Sequence, residues 1–241
     1  MDTLIADSGQ ARSTVHSAFY IWLDDDTGQR MAQAVEAAAR RGVVCRVMVD
    51  ALGSRAFLKS PLWGALAQAG VKQLATLDDL NRWQHFAFSR MDLRDHRKLV
   101  VIDNRIAYCG SQNCADPEFR IKAKYAPWID VLFRCEGSVA LQMQALFLGG
   151  WIPETGEQGL DGMACDAPLL AQEAQAEIAN PGCVAQLFET GPTARHNAMS
   201  DMFVACMYAA RHELVITTPY FVPDESILRA LCPAPRRGVE T

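Results

Sequence analysis

His96-Arg97-Lys98-Leu99-Val100-Val101-Ile102-Asp103, followed shortly by Gly110-Ser111-Gln112-Asn113, is the stretch on which the reading of this chain turns. Leu99 to Ile102 is a continuous apolar run rich in branched side chains, the pattern of a strand buried on both faces. With a period of two, His96 and Lys98 share one face, so an imidazole and an ammonium converge at the mouth of that strand. Asp103 falls on the opposite parity and begins the turn-prone pair Asp103-Asn104, ahead of a second apolar stretch from Ile106 to Cys109. The segment therefore reads as a hairpin whose second strand returns Gly110 to Asn113 beside the start of the first. A nucleophile or base, a cation, a hydroxyl and an amide facing one pocket suit a phosphate. A lone His-x-Lys is more often an ordinary exposed strand end. At average residue usage, however, chance produces the whole pattern in well under roughly one chain in ten thousand.

The 241 residues suffice for one large domain or two small ones, and an apolar content of 50% is ample for a core. The net charge of −5, with signs mixed, leaves no basic footprint for nucleic acid. The 8 cysteines fall at no metal-like spacing, and Cys45, Cys135 and Cys206 sit in apolar runs where a small buried thiol in a reducing compartment is the ordinary reading. No metal site and no cofactor are expected. Met1 to Gln10 carries acids and lacks the apolar core of a signal peptide, and no run approaches the roughly twenty apolar residues of a membrane span. Val139 to Trp151, interrupted by Gln142, Gln144, Gly149 and Gly150, reads as a helix packed on the domain.

Upstream of the motif, Ala11 to Ala18 reads as the end of a helix feeding a short strand, Phe19 to Leu23, which stops at the acidic turn Asp24 to Gly28. A helix from about Gln29 to Arg41 follows, closed by Gly42, and then a buried-type strand from Val43 to Asp50. This strand, helix, strand order predicts a parallel pair. Ser60-Pro61 starts another helix, which Gly70 closes before a strand at Val71. Asp78 to Arg94 and Asn113 to Pro127 read as irregular. A strand resumes over Trp128 to Phe133, where Asp130 interrupts the apolar run and needs a partner.

Residues 156–190 form the predicted linker and connecting strand between a first lobe, 1–155, and a second segment, 191–241. In that second segment Ala198 to Arg211 reads as an amphipathic helix, Leu214 to Pro219 as a strand, Asp224 to Leu231 as a helix start and Arg237-Gly238-Val239 as its close. The order repeats that of Phe19 to Val43. Cys232-Pro233-Ala234-Pro235 falls where the first copy has uninterrupted helix, and prolines there would break it. No other His-x-Lys exists in the sequence. The expectation is a truncated second copy, so that one motif stands where the repeat implies two.

The spacing His96, Lys98, Asp103, with the tail Gly110-Ser111-Gln112-Asn113, resembles the signature of the phospholipase D superfamily. Within it the chain is most similar to bacterial cardiolipin synthases. The similarity lies in Phe19 to Gly28 with Asp50 to Arg55, in Gly110 to Phe119 with Trp128-Ile129-Asp130 and Glu136-Gly137, and in Thr217 to Glu225. The resemblance implies an α/β fold: a phospholipase D-like lobe with a mostly buried mixed sheet flanked by helices, followed by the beginning of a second, similar lobe. In such proteins a His-x-Lys motif from each lobe meets in a shared site, and hydrophobic anchors normally precede the first lobe.

The chemistry implied is transfer of a phosphatidyl group from one phosphatidylglycerol to the hydroxyl of another through a phosphohistidine, with release of glycerol. One histidine is the nucleophile and its partner the general acid and base; His96 fills one of these two places. Lys98, Ser111 and Asn113 are implied to hold the phosphate. Asp130 is the candidate carboxylate orienting His96. Asp103 belongs to the motif, although its parity favours a structural anchor of the hairpin. Tyr220 is a candidate for lining the site. The implied partners are the phospholipid and a membrane surface, at the cytoplasmic face of the bacterial inner membrane, with no nucleic acid and with a complementing second lobe or a second copy completing the site. Two rivals stand: a single-motif phosphodiesterase or nuclease acting as a homodimer, and an inactive fragment. The acidic balance and the second lobe's start count against the homodimer.

Overall fold

The computed structural model of the chain describes residues 1–78, 94–119, 129–157, 182–191, 195, 197–218 and 220–241. These residues divide into two units, Met1–Leu187 and Phe188–Thr241.

In the first unit, helix α1 (Asp2–Gly9) leads into strand β1 (Thr14–Phe19). Helix α2 (Asp26–Arg40) starts where the Asp25 carboxylate accepts the Gly28 N–H at 2.9 Å, a side-chain cap that satisfies an otherwise orphaned donor. Strand β2 (Val44–Asp50) pairs parallel with β1, as the strand, helix, strand order predicts. A short helix α3 (Arg55–Leu58) and helix α4 (Pro61–Gln68), with its proline in the first turn, lead to β3 (Lys72–Thr76). The hairpin follows as β4 (Lys98–Ile102) and β5 (Ile106–Gly110), joined by Asp103 and Asn104 at φ 53 and 56 with Arg105 N–H donating to the Ile102 carbonyl. Left-handed backbone at both central positions is what matches a tight turn to strand twist, and Asp and Asn tolerate it. Strand β6 (Leu132–Glu136) and helix α5 (Ser138–Thr155) complete the unit.

The mixed sheet has the order β3-β2-β1-β4-β5-β6. One face packs Val15, Phe19, Val47, Val100 and Ile102 among residues of α1, α2 and α4 such as Leu4, Val35 and Leu66. The other packs Ala18, Met48, Leu99 and Val101 against Val139, Met143, Phe147 and Trp151 of α5. Alternate residues of β4 thus serve two cores, which is why that strand is apolar without interruption.

The α5 face also holds a polar cluster. His16 and Arg46 are 0% and 1% exposed. Arg46 donates to His16 Nε2 at 2.9 Å and to both oxygens of Glu157 at 2.8 and 3.1 Å. Because a guanidinium only donates, the His16 proton sits on Nδ1, which donates to Gln144 Oε1 at 3.0 Å. Trp151 Nε1 and Lys72 also donate to Glu157.

Several expectations shift. The first strand lies at Thr14–Phe19, five residues before the expected Phe19 to Leu23, and the residues expected to end a helix are that strand. Thr14, His16 and Ser17 are polar yet fully buried, so apolar periodicity does not reveal them. Tyr20 to Leu23 is instead the strand's exit, bridged at Trp22 to Cys114. The strand expected over Trp128 to Phe133 runs from Leu132 to Glu136, with Asp130 in its lead-in; Trp128 lies outside the described residues. So do most of the two stretches expected to be irregular and all of 158–181.

In the second unit, helix Ala198–Ala209 packs on helix Glu225–Leu231, which Asp224 caps through the Ile227 N–H at 2.9 Å. Ser200 Oγ donates to Asp224 at 2.6 Å, and the Arg237 guanidinium lies 5.3 Å from the centre of the Tyr208 ring. The helix ends at Leu231, before Pro233, and a 3-10 turn over Pro235–Arg237 follows. The strand expected over Leu214 to Pro219 is not formed among the described residues. There is one bridge, Glu213 to Glu240, and Val215 and Ile216 are exposed.

Candidate active site

Because β1 and β2 run opposite to β4, their C-terminal ends meet the N-terminal end of β4. Phe19 stands opposite Lys98, Leu99 opposite Cys109, and Gly110 opposite Leu132. One end of the sheet therefore collects Tyr20, Asp50, His96, Lys98, Ser111, Asn113 and Asp130.

The His96 ring lies against Tyr20, with ring centres 4.2 Å apart at a tilt of 48°. Lys98 donates to the His96 carbonyl at 2.9 Å, and its ammonium lies 5.4 Å from the centre of the same tyrosine ring. Partial burial, and after it the Lys98 charge, hold the imidazole below its ordinary pKa, with Asp50 and Asp95 pulling the other way. The ring is thus neutral near pH 7, with a lone pair to offer. Burial also lowers the Lys98 ammonium from its ordinary value, opposed by Asp130 and Asp95.

Ser111 is held by β6's lead-in: its N–H donates to the Val131 carbonyl at 2.9 Å and its hydroxyl to Asp130 at 2.6 Å, while the Val131 N–H donates back to Oγ at 3.1 Å. Gly110 permits this approach, because a Cβ there would stand 2.0 Å from the Val131 carbonyl oxygen. Asn113 accepts the Ile21 N–H through Oδ1 at 3.2 Å, which leaves its NH₂ as the donor side. The segment is clasped further along: Asp116 accepts from Thr27 and Asp26 at 2.9 and 3.3 Å, and Asp25 accepts from Asp116 N–H at 2.8 Å.

One predicted residue of the first unit lies elsewhere. Asp103 is at the far end of β4, about 17 Å along the strand from Lys98. Its carboxylate accepts from the N–H groups of Arg12, Ser13 and Thr14 and from the Ser13 hydroxyl, at 2.7 to 2.9 Å for the shortest contact of each. Burial pushes its carboxyl up, but those donors together hold it below the ordinary value. The Asp130 carboxylate bonds Ser111, and among the described residues it makes no hydrogen bond to the His96 ring. Tyr220 is 70% exposed in the second unit.

Sequence reasoning missed two contributors. Tyr20 falls inside the expected strand Phe19 to Leu23, and Asp50 closes an expected strand and opens a stretch of family resemblance, with no site role marked for either. The Asp-x-x-Gly spacing of Asp50 and Gly53 is a turn signal that marks the second.

The arrangement has counterparts among known proteins. Residues 4–130 match the family model described as cardiolipin synthase, PLD-like domain. The whole chain is 39% identical to cardiolipin synthase A of Edwardsiella ictaluri (strain 93-146) over 242 residues, 48% of that protein. It is likewise 39% identical to cardiolipin synthase A of Cronobacter sakazakii (strain ATCC BAA-894) over 241 residues, again 48% of the relative. The chain therefore spans about half the length of the curated relatives it matches. In fold it resembles the crystal structure of phosphatidylserine synthase from Haemophilus influenzae Rd KW20, with a TM-score of 0.60 at 12% identity over 99% of this chain and 57% of that one. A family model covering more than half the chain, and that similarity along its whole length, agree with the His-x-Lys geometry at the sheet end: the chain belongs to the cardiolipin synthase family of phospholipase D-like domains.

Proposed function

We propose that this chain supplies one half of the active site of a cardiolipin synthase-like phosphatidyltransferase, working on phosphatidylglycerol at a membrane surface, the cytoplasmic face of the bacterial inner membrane. The observation that carries the reading is the convergence of His96, Lys98, Ser111 and Asn113 at one end of the sheet.

His96, held neutral beside Lys98 and Tyr20, suits the nucleophile's place. Its ring nitrogen attacks phosphorus, the bond from phosphorus to the departing glycerol oxygen breaks, and a phosphohistidine forms. A second histidine, from a complementing lobe, protonates the departing alkoxide and then takes the proton from the hydroxyl of an incoming phosphatidylglycerol. That oxygen attacks phosphorus, the bond to nitrogen breaks, and His96 is regenerated. Lys98 and the Asn113 NH₂ neutralise and orient the non-bridging oxygens, whose charge grows in the transition state. Ser111, its proton committed to Asp130, shapes the strand exit, and Asp130 also favours the charged form of Lys98. Asp103 anchors the hairpin from its far end. We assign Tyr220 to the lining of the completed site.

The test is the purified chain on phosphatidylglycerol vesicles, alone and with a separately expressed second lobe of a full-length relative. Alone, loss of the general acid leaves roughly 10²–10⁴-fold less cardiolipin formation. The added lobe restores it, and His96→Ala abolishes what is restored. Full activity of a strictly monomeric preparation without the added lobe refutes the half-site, and activity confined to a dimer fraction selects the single-motif homodimer.

A further inference from the structure

We propose that Asp50 is a positioning residue for His96: its carboxylate fixes both the backbone one residue before the histidine and the turn on which the Tyr20 ring rests. The inference depends on His96 being the reacting group of the site.

Asp50 ends β2 and is 1% exposed. A carboxylate so placed is stable only if backbone or side-chain donors satisfy it. Oδ1 accepts the N–H groups of Leu52 and Gly53 at 3.0 and 2.7 Å, an ordinary turn cap. Oδ2 does something a turn has no use for. It accepts the Asp95 N–H at 3.0 Å, 45 residues further along the chain. His96 is the next residue, so this bond sets where the imidazole's own backbone begins.

The second arm runs through the capped turn. Gly53 lies flat on Tyr20: a Cβ there would stand 2.3 Å from the Tyr20 carbonyl oxygen and 2.8 Å from a ring carbon. Ser54, 0% exposed, donates to the Tyr20 carbonyl at 3.1 Å and accepts from the Trp22 N–H at 3.0 Å. The tyrosine so held is the ring against His96 at 4.2 Å and beneath the Lys98 ammonium. One carboxylate therefore ties both the chain that carries the imidazole and the surface it leans on. Errors of about an ångström in such a group cost orders of magnitude in rate, which gives the tie a catalytic consequence.

Asp50→Asn separates the two oxygens' work. The amide keeps one acceptor for Leu52 and Gly53 but turns an NH₂ towards the Asp95 N–H, donor against donor. The readout is the carbon-bound imidazole protons of His96 by NMR near pH 8, where the ring is neutral. The signals are assigned by their loss in His96→Ala, and the ring-current displacement by Tyr20 is calibrated with Tyr20→Leu. Asp50→Asn is expected to move the signals at least half of the way to the Tyr20→Leu position. In the complemented enzyme it should lower kcat at least tenfold, with KM within about threefold. A folded Asp50→Asn whose His96 signals and kcat match the wild type overturns the proposal. Should that variant not fold, the wild-type Asp95 amide and Gly53→Ala decide. The amide must resist deuterium exchange, and the added methyl must displace the His96 signals with β2 untouched; failure of either overturns it. If His96→Ala keeps its activity while Asp50→Asn moves the His96 signals, the functional reading falls and the positioning stands.

Discussion

Acidification should weaken the first unit through His16, by an amount the buried cluster lets one work out. Burial, chiefly, drives the His16 imidazole from 6.5 to about 4, with Gln144 and Glu157 opposing and the Arg46 and Lys72 charges adding to the fall. A folded-state pKa below the unfolded one means that between these values the unfolded chain binds a proton the folded chain refuses. Stability is therefore intact above about pH 6.5 and is lost as pH falls towards 4. Integrated from about pH 7 to about pH 5, the loss is about 2 kcal/mol. Glu157, held at about 2 by the Arg46 hydrogen bonds first, stays ionised in the folded chain through this window and adds most of its own loss as pH falls from 4.5 towards 2. The comparison is urea unfolding of the wild type and His16→Gln at both pH values. Gln keeps hydrogen-bonding capacity but does not titrate, so every other group cancels in the difference of slopes. Trp22 and Trp151 are buried in the two cores of the first unit, so tryptophan fluorescence reports its unfolding. The wild type should lose about 2 kcal/mol more than the variant on acidification. A difference under about 0.5 kcal/mol refutes the neutral, Arg46-bonded histidine.

Asp103→Asn should leave turnover of the complemented enzyme within about threefold while lowering the first unit's stability by about 1–3 kcal/mol in denaturant, since its carboxylate serves four donors at the far sheet end. With its folded pKa depressed, that contribution is present above 3.8 and fades below it, so the wild type and variant should converge in strong acid. Asp130→Asn is expected to raise KM for phosphatidylglycerol more than it lowers kcat, because it loosens Ser111 and removes a charge that favours the Lys98 cation; a pure kcat loss would restore the view that it orients His96. The pH-rate profile of the complemented enzyme should have an acid limb below 6.5, since protonation of His96 removes the lone pair that attacks phosphorus; the absence of any acid limb down to about pH 5 would count against His96 as the nucleophile.

What could be read along the chain was what neighbouring residues enforce on one another. The Asp103-Asn104 turn, the proline start of α4 and the two-faced apolar run of β4 all depend on contacts within a few residues. The sequence alone therefore determined the hairpin, the strand, helix, strand opening and the delivery of Gly110 to Asn113 beside Lys98. Tertiary structure decided the rest, wherever a residue's meaning depends on a distant partner. Thr14, His16 and Ser17 read as the end of a helix until β2 and α5 bring Arg46 and Gln144 to pair with the histidine; Gln144 is 128 residues away. Leu214 to Pro219 has strand composition, but a strand exists only where a neighbour completes its ladder, and among the described residues one bridge is all that forms there. The motif puts Asp103 in one phrase with His96, yet the straightness of β4 carries it to the opposite end of the sheet. Asp130 and Asp50, isolated carboxylates in the sequence, acquired their partners, Ser111 and Asp95, only when antiparallel and parallel strands ended at the same edge. Local periodicity reports which face a residue occupies; only the packed sheet determines which strand end lies beside it.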